Sequence, residues 1–266
     1  MPSRTRRILD QVWPRVAIVV AVIAVWWLVA ETGYFDDTVL PSPPEVWSAL
    51  VDNLTGPDGL LAAAWRSIVR LAIGVIVAVI LGTLTGLAMA AWRPVQRSVG
   101  TLMLGLQALP PIAWLPIALL WFGLTERAIL FIVVIGATPA VAIATANSVR
   151  QVPPVLVRAG RTMGARRWTL YREVVLPAAV PGYWAGLQQG WAIAWRALLA
   201  GELISTGARG LGHLLDRADG QLDTPLLLAT MIVIMVVGIA VEALFTIVDR
   251  RIRRRRGLTI GSVALG

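Results

Sequence analysis

The chain has 266 residues, 57% of them hydrophobic, and a mean hydropathy of +0.73, more apolar surface than one water-soluble core hides, so a bilayer is its natural solvent. With no cysteine and one histidine, it has no disulfides, thiolate metal centres, cysteine nucleophiles or histidine-cluster metal sites. All 24 basic residues are arginine and the net charge is +9; without lysine there is no standard phosphate-binding P-loop, so any ATP-driven step belongs to a separate polypeptide. The positive charge does not point to nucleic acid, because Arg250, Arg251 and Arg253 to Arg256 follow directly on an apolar run, where anionic lipid headgroups meet them.

Runs free of charge, near the roughly 20 residues that cross about 30 Å of hydrocarbon, recur along the chain and predict an all-α, polytopic membrane protein of about six transmembrane helices. The first lies between Arg15 and Glu31 and contains Trp26 and Trp27; it is short, and Trp13 and a snorkelling Arg15 extend it. A cleaved signal peptide competes for this segment, but no small-residue cleavage site precedes a soluble domain, and a retained helix is expected. The second runs from Leu71 to Trp92, where Gly74, Gly82 and Gly86 include small residues four apart that permit close helix contact. The third, Ser98 to about Thr125, holds Pro110, Pro111 and Pro116, whose freed carbonyls call for protein or a wet cavity; a bent, buried helix is expected. The fourth covers Ala128 to Val149, the fifth follows Pro181 to about Thr206, and the sixth runs from Thr224 to Val248.

Arginine placement orients these spans. With the N-terminus in the cytoplasm, the inner segments hold Arg4, Arg6, Arg7 and Arg15, then Arg93 and Arg97, then Arg150 to Arg172, then a basic cytoplasmic tail over 249–266. The outer segments hold Asp36, Asp37, Glu45, Asp52 and Asp58, then Asp216, Asp219 and Asp223. Both termini are then cytoplasmic.

One inner loop, 150–181, reads RQVPPVLVRAGRTMGARRWTLYREVVLPAAVP. Val155, Ala159 and Met163, then Trp168, Tyr171 and Val175, recur at helical spacing on either side of Gly164, which predicts helix, tight turn, helix. Pro153 and Pro154 suit a first helical turn, Gly164 can take the positive φ of the turn, and Pro177 and Pro181 mark the return to the membrane. Small residues at Ala159, Gly160 and Gly164 let a second backbone approach closely.

This loop resembles the cytoplasmic motif of ABC importer permeases, E-A-A, three residues, G, nine residues, I, one residue, L-P: Arg158, Ala159, Gly160, Gly164, Val174, Leu176 and Pro177 fall on it without a gap. The resemblance implies a coupling loop seated on a cytoplasmic ATPase, with Ala165 and Trp168 beside the motif residues. Arg158 stands where glutamate is usual and Gly160 where the second alanine is; the reversed charge suggests an ATPase with an acidic compensating residue. A plain solvated inner connection is the alternative, but it need not keep this spacing.

Further stretches narrow the resemblance to the nitrate/sulfonate/taurine permeases: Leu40-Pro41-Ser42-Pro43 with Val46, Ser67 and Arg70, Leu109-Pro110, Ala113-Trp114-Leu115-Pro116, Trp121-Phe122-Gly123, Val175 to Ala179, Ala194-Trp195 with Glu202, and Gly210-Leu211-Gly212. This implies a type I importer permease fold as a single domain over 1–266, forming a path for a small anionic solute (aliphatic sulfonate, taurine or nitrate). It also implies a second copy of the permease, two ABC ATPase subunits that bind the ATP and magnesium, and an extracytoplasmic solute-binding protein; this chain itself carries no cofactor, metal or catalytic residue. Thiamine pyrimidine precursors, riboflavin and bicarbonate are alternative solutes within the wider group. An ATP-independent secondary transporter or channel predicts no coupling loop, and a membrane-embedded enzyme lacks a cluster of His, Cys or paired carboxylates.

Charges inside spans point to function. Arg66 and Arg70, one turn apart at the outer end of the second span, are expected to snorkel to headgroups, and Glu242, near the inner end of the sixth, to pair with the basic tail. Arg196 and Glu202 share the fifth span with Gln188, Gln189, Trp191 and Trp195. Arg196 is expected to give an anionic solute a transient partner, with Glu202 near the outer gate; a structural ion pair with another span is the alternative. His213, in an outer loop beside Asp216, reads as a surface or docking residue, and the 12 tryptophans mostly as interfacial belts.

Overall fold

A computed structural model describes residues 4–34, 36, 38–204 and 209–255. The expected end of the fifth span at Thr206, Asp37, and the tail from Arg256 lie outside the described residues, as do the side chains of Arg4, Arg6, Arg7 and Arg15. Among the described residues all regular structure is helical.

Helix α1 spans Arg4–Glu31, and the Trp26 indole N–H donates to the Pro41 carbonyl at 3.1 Å, tying its C-terminal part to the segment that leads into the next element. That element, α2 (Pro43–Asp52), stands where a loop was expected. Its start is written in the sequence: Pro43 and Pro44 take the first two helical positions, and the Glu45 carboxylate accepts the Ser42 N–H at 2.7 Å, one half of a capping box. Helix α3 (Leu60–Ala91) begins well before the expected Leu71, so Arg66 and Arg70 sit within it.

The third expected span is broken. Helix α4 (Arg93–Ala108) ends at Leu109, which Pro110 holds extended (φ −76°, ψ 128°); a 3-10 turn (Pro111–Trp114) and a short α5 (Leu115–Phe122) leave at 100° to it. It is bent as expected but not buried: within one chain only Gly100 and Ala118 are buried, while Leu104 and Leu120 are 60% and 82% exposed. Three prolines interrupt the helical ladder at one place and leave two short pieces at the margin of the bundle.

Then come α6 (Glu126–Arg150), α7 (Pro154–Thr162), α8 (Arg167–Leu170), a π-helical turn (Tyr171–Val175), α9 (Leu176–Ile204), α10 (Leu211–Gly220) and α11 (Thr224–Arg255). Three helices, α3, α6 and α11, are each long and apolar enough to cross a bilayer, and the broken α4–α5 pair makes up to four. Helices α1 and α9 lie where the first and fifth spans were expected; the apolar part of α1 is only Val16–Glu31, and α9 carries Gln188, Gln189, Arg196 and Glu202.

Helix α6 is the centre, packed between α3 and α9 through glycines. A Cβ at Gly82 of α3 would lie 2.7 Å from Val141 Cβ and 2.9 Å from the Thr138 carbonyl, and one at Gly190 of α9 would lie 2.8 Å from Val141 Cγ2. Val141 therefore fills both seams at once. Gly74 and Gly86 on α3 and Gly186 on α9 make the same close approach, to Val133, Ala142 and Ala144. Gly82→Val is expected to push α3 off α6, costing about 1–3 kcal/mol or more; the check is thermal unfolding of the detergent-purified protein, with Gly82→Ala intermediate.

Candidate functional site

The loop over 150–181 is a helical hairpin, as its spacing predicts. Helix α7 ends with Gly164 at φ +87°; the Gly164 N–H donates to the Arg161 carbonyl and the Ala165 N–H to the Gly160 carbonyl, each at 3.0 Å, the paired bonds of a Schellman turn. The returning strand of the hairpin, α8 and the π turn, packs on α7 at Gly160, where a Cβ would lie 2.8 Å from Leu170 Cδ1 and 3.0 Å from Val174 Cγ2. The smallness of Gly160 thus serves the hairpin's own closure, not the approach of another backbone. Pro177 has no N–H for an α-helical ladder, and a π-type bond from Leu176 N–H to the Tyr171 carbonyl lies just before it. The hairpin then runs unbroken into α9, with Pro181 inside the helix rather than at a boundary.

Which face points out was not legible. Val175 is buried with Val152 and Ala179, but the rest of the expected apolar stripe is on the outside: Met163 and Trp168 are 87% and 72% exposed, and Val155, Ala159 and Tyr171 are exposed too. Arg158, Arg161 and Arg166 are exposed around them. Ala165 is half-buried at the turn.

At the other end of α9 lies a buried polar cluster. Glu202 is fully buried; Ser67 Oγ sits 3.0 and 2.8 Å from its two carboxylate oxygens, the Gly212 N–H donates to Oε2 at 3.0 Å, and Arg70 Nη1 forms an ion pair with Oε1. The Leu211 N–H donates to Ser67 Oγ at 2.9 Å, and Arg70 Nη2 reaches Glu126 at 2.8 Å. A Cβ on Gly210 would strike the carboxylate, and one on Gly212 would lie 2.6 Å from Glu202 Cβ. Ser67, Arg70, Glu202 and Gly210-Leu211-Gly212, scattered along the sequence, are therefore one unit joining α3, α6, α9 and α10.

The expectation that Arg70 snorkels to headgroups is overturned: its side chain is 6% exposed, because a carboxylate without water needs a counter-charge and Arg70 faces it. Arg66, one turn nearer the helix start, does turn outward, donating to the Pro57 carbonyl at 2.8 Å. Glu202 has the ion pair with another span, and its carboxylate has no exposed surface in this conformation.

Arg196 does not meet Glu202. It is exposed, its Nε donating to the Ala192 carbonyl at 2.9 Å, and it lines an open groove of about 710 Å³ between α9 and α11 with Trp191, Trp195, Glu242 and Arg250. Trp191 and Trp195 stack with ring centroids 5.8 Å apart and are both buried, so these two do not belong to an interfacial belt. Gln189 is exposed, and Gln188 donates its amide to Glu242. Glu242 was expected to pair with the basic tail; instead Asp249 takes Arg253, one turn on, at 2.8 Å. His213 lies on α10, half-buried in a cavity of about 220 Å³ with Asp58, Arg66, Arg209 and Arg217.

Removing one member of the buried pair is expected to be costly. Arg70→Met destabilises by about 3–5 kcal/mol, the paired Arg70→Met/Glu202→Met change recovers most of it, and Glu126→Gln, at a 65% exposed partner, stays within about 1 kcal/mol. Denaturant unfolding of the purified variants measures all three.

Comparisons with known proteins fit this geometry. Residues 78–254 match the family described as binding-protein-dependent transport system inner membrane component. The taurine transport system permease protein TauC of Escherichia coli (strain K12) is 30% identical over 247 residues, covering 91% of this chain and 89% of that one. The putative aliphatic sulfonates transport permease protein SsuC of the same organism is 28% identical over 222 residues, 82% of each chain. In fold, the chain is similar to one from a crystal form of the MetNI methionine ABC transporter in inward-facing conformations, with a TM-score of 0.63 at 19% identity, covering 73% of this chain and 95% of that one. The chain belongs to the binding-protein-dependent transport system inner membrane components, and is a multi-pass membrane permease rather than an enzyme.

Proposed function

We propose that this permease forms the path of an ATP-driven importer in which two copies of the chain assemble with two ATPase subunits, which bind the ATP and magnesium, and an outer solute-binding protein. The observation that carries this reading is the outward face of the hairpin. Helix α9 has 29 residues, about 43 Å at 1.5 Å per residue, which exceeds the roughly 30 Å of hydrocarbon before the hairpin begins. Met163 and Trp168 at the hairpin tip therefore stand in water, and exposed apolar side chains of that size ringed by arginines mark a protein contact. Arg158, Ala159, Ala165 and Trp168 present that surface, while Gly160, Gly164, Leu176 and Pro177 shape the hairpin and its run into α9. A displacement at the hairpin is carried along one continuous helix to the Glu202 cluster at its far end.

The arginine-rich hairpin and the Arg253 to Arg255 end of α11 then lie on the cytoplasmic side with both termini. Arg196 sits two turns from the outer end of α9, about 12 Å in, and a guanidinium there costs at least about 2.5–3.5 kcal/mol against lipid. That cost supports a path-lining role for this face, with Gln188, Gln189 and Trp195 on the same helix and Glu202 fixing its outer end. The solute is a small sulfonate-type compound, taurine or an alkanesulfonate, as the names of the relatives suggest.

In cells carrying the neighbouring ATPase and binding protein, Arg158→Glu is expected to cut ATP-dependent solute uptake about tenfold or more at normal expression, with an acidic-to-arginine change in the ATPase restoring it. Arg196→Gln is expected to lower uptake without loss of assembly; unchanged uptake removes Arg196 from the path.

A further inference from the structure

We propose that the α9–α11 groove binds a zwitterion, with Arg196 taking an anionic head and Glu242, presented by Gln188, taking an ammonium. This rests on the reading that the Arg196 face lines the path. Arg196, Glu242 and Arg250 line the groove, and among the described residues none has an ion-pair partner; Arg250 lies two turns beyond Glu242 on α11, on the side away from Arg196. The Arg196 Nε bond goes to the backbone of Ala192, and Glu242 is held by a neutral amide. Unpaired charges at membrane depth are costly and persist where something else supplies the counter-charge. Here each charge lacks the partner that the other end of a zwitterion brings.

The helix directions bring the two charges toward each other. Trp184 meets Phe245, Gln188 meets Glu242, and Trp195 lies against Gly238, so α9 and α11 run antiparallel. Gln188 and Arg196 are two turns apart, about 12 Å. Helical side chains lean toward their own N-terminus, so Arg196 leans back toward the level of Glu242, and Glu242 on the opposed helix leans toward Arg196. A solute with an anionic head and an ammonium would bridge the two groups across the groove. Trp191 and Trp195, stacked on each other, wall the groove along this stretch. An anion without an amine meets Glu242 as a like charge.

The full-length protein in phosphatidylglycerol nanodiscs, whose headgroups carry no ammonium, is titrated with 2-aminoethanesulfonate and with ethanesulfonate, followed by tryptophan fluorescence. The amino compound is expected to bind about tenfold or more tighter. Glu242→Gln, which keeps a hydrogen bond to Gln188, is expected to erase that preference by weakening the amino compound and strengthening ethanesulfonate; Glu242→Asp retains it, and Arg196→Gln weakens both solutes. Equal binding of the two solutes by the wild type, a preference that survives Glu242→Gln, or no saturable response to either solute overturns the site. If Arg196→Gln weakens both solutes and Glu242→Gln changes nothing, the zwitterion inference falls alone; if Arg196→Gln is also silent, the path reading of this face falls with it.

Discussion

Glu202 is a carboxylate with no exposure to solvent, and much of the architecture follows from keeping it satisfied. Its oxygens fix Ser67 and Arg70 of α3 and draw the first turn of α10 in through the Gly212 N–H. Arg70 reaches on to Glu126 at the start of α6. Four helices are thereby pinned at one end of α9, where a side chain on Gly210 would collide with the carboxylate itself and one on Gly212 with Glu202 Cβ and the Leu199 carbonyl. A buried pair of this kind adds little net stability over an apolar substitute, but it fixes which helices meet.

The opposite end of α9 leads into the hairpin with its exposed Met163 and Trp168. The Schellman turn at Gly164 and the seat of Gly160 against Leu170 and Val174 make the hairpin one rigid piece. Between its two ends α9 lies against α6 through glycines, close enough that small shifts of one helix must be felt by the other. The charged residues divide in the same way. Arg70 and Glu202 are buried and paired, which is a structural arrangement; Arg196 and Glu242 have no ionic partner among the described residues and line the open groove to which the proposed solute path is assigned.

The helical class, the hairpin and the positive φ at Gly164 were legible because each has a local signature: apolar runs, a 3.6-residue period, a glycine at a turn. Helix α2 is also written locally, in Ser42-Pro43-Pro44-Glu45, but polar residues between apolar spans read as loop by hydropathy. The start of α3 was misplaced for a related reason. Hydropathy marks where a helix is apolar, not where it begins, and Arg66 and Arg70 interrupt the apolar run without interrupting the helix. Periodicity likewise places Val155, Ala159 and Met163 on one face but does not say whether that face points inward. The Glu202 cluster could not be read from spacing at all, since Ser67 and Glu202 are 135 residues apart and only the fold brings them together.

The central claim is that the hairpin seats on an ATPase, and the lack of cysteine makes it directly accessible to site-specific cross-linking. A single cysteine at Met163, in membranes containing the assembled transporter, is the only thiol this chain offers to a short thiol-to-amine cross-linker. The account predicts a covalent adduct with the ATPase subunit whose yield changes when ATP is added. A Met163→Cys permease that supports uptake, is labelled freely by a water-soluble maleimide with and without the ATPase, and gives no adduct would contradict it.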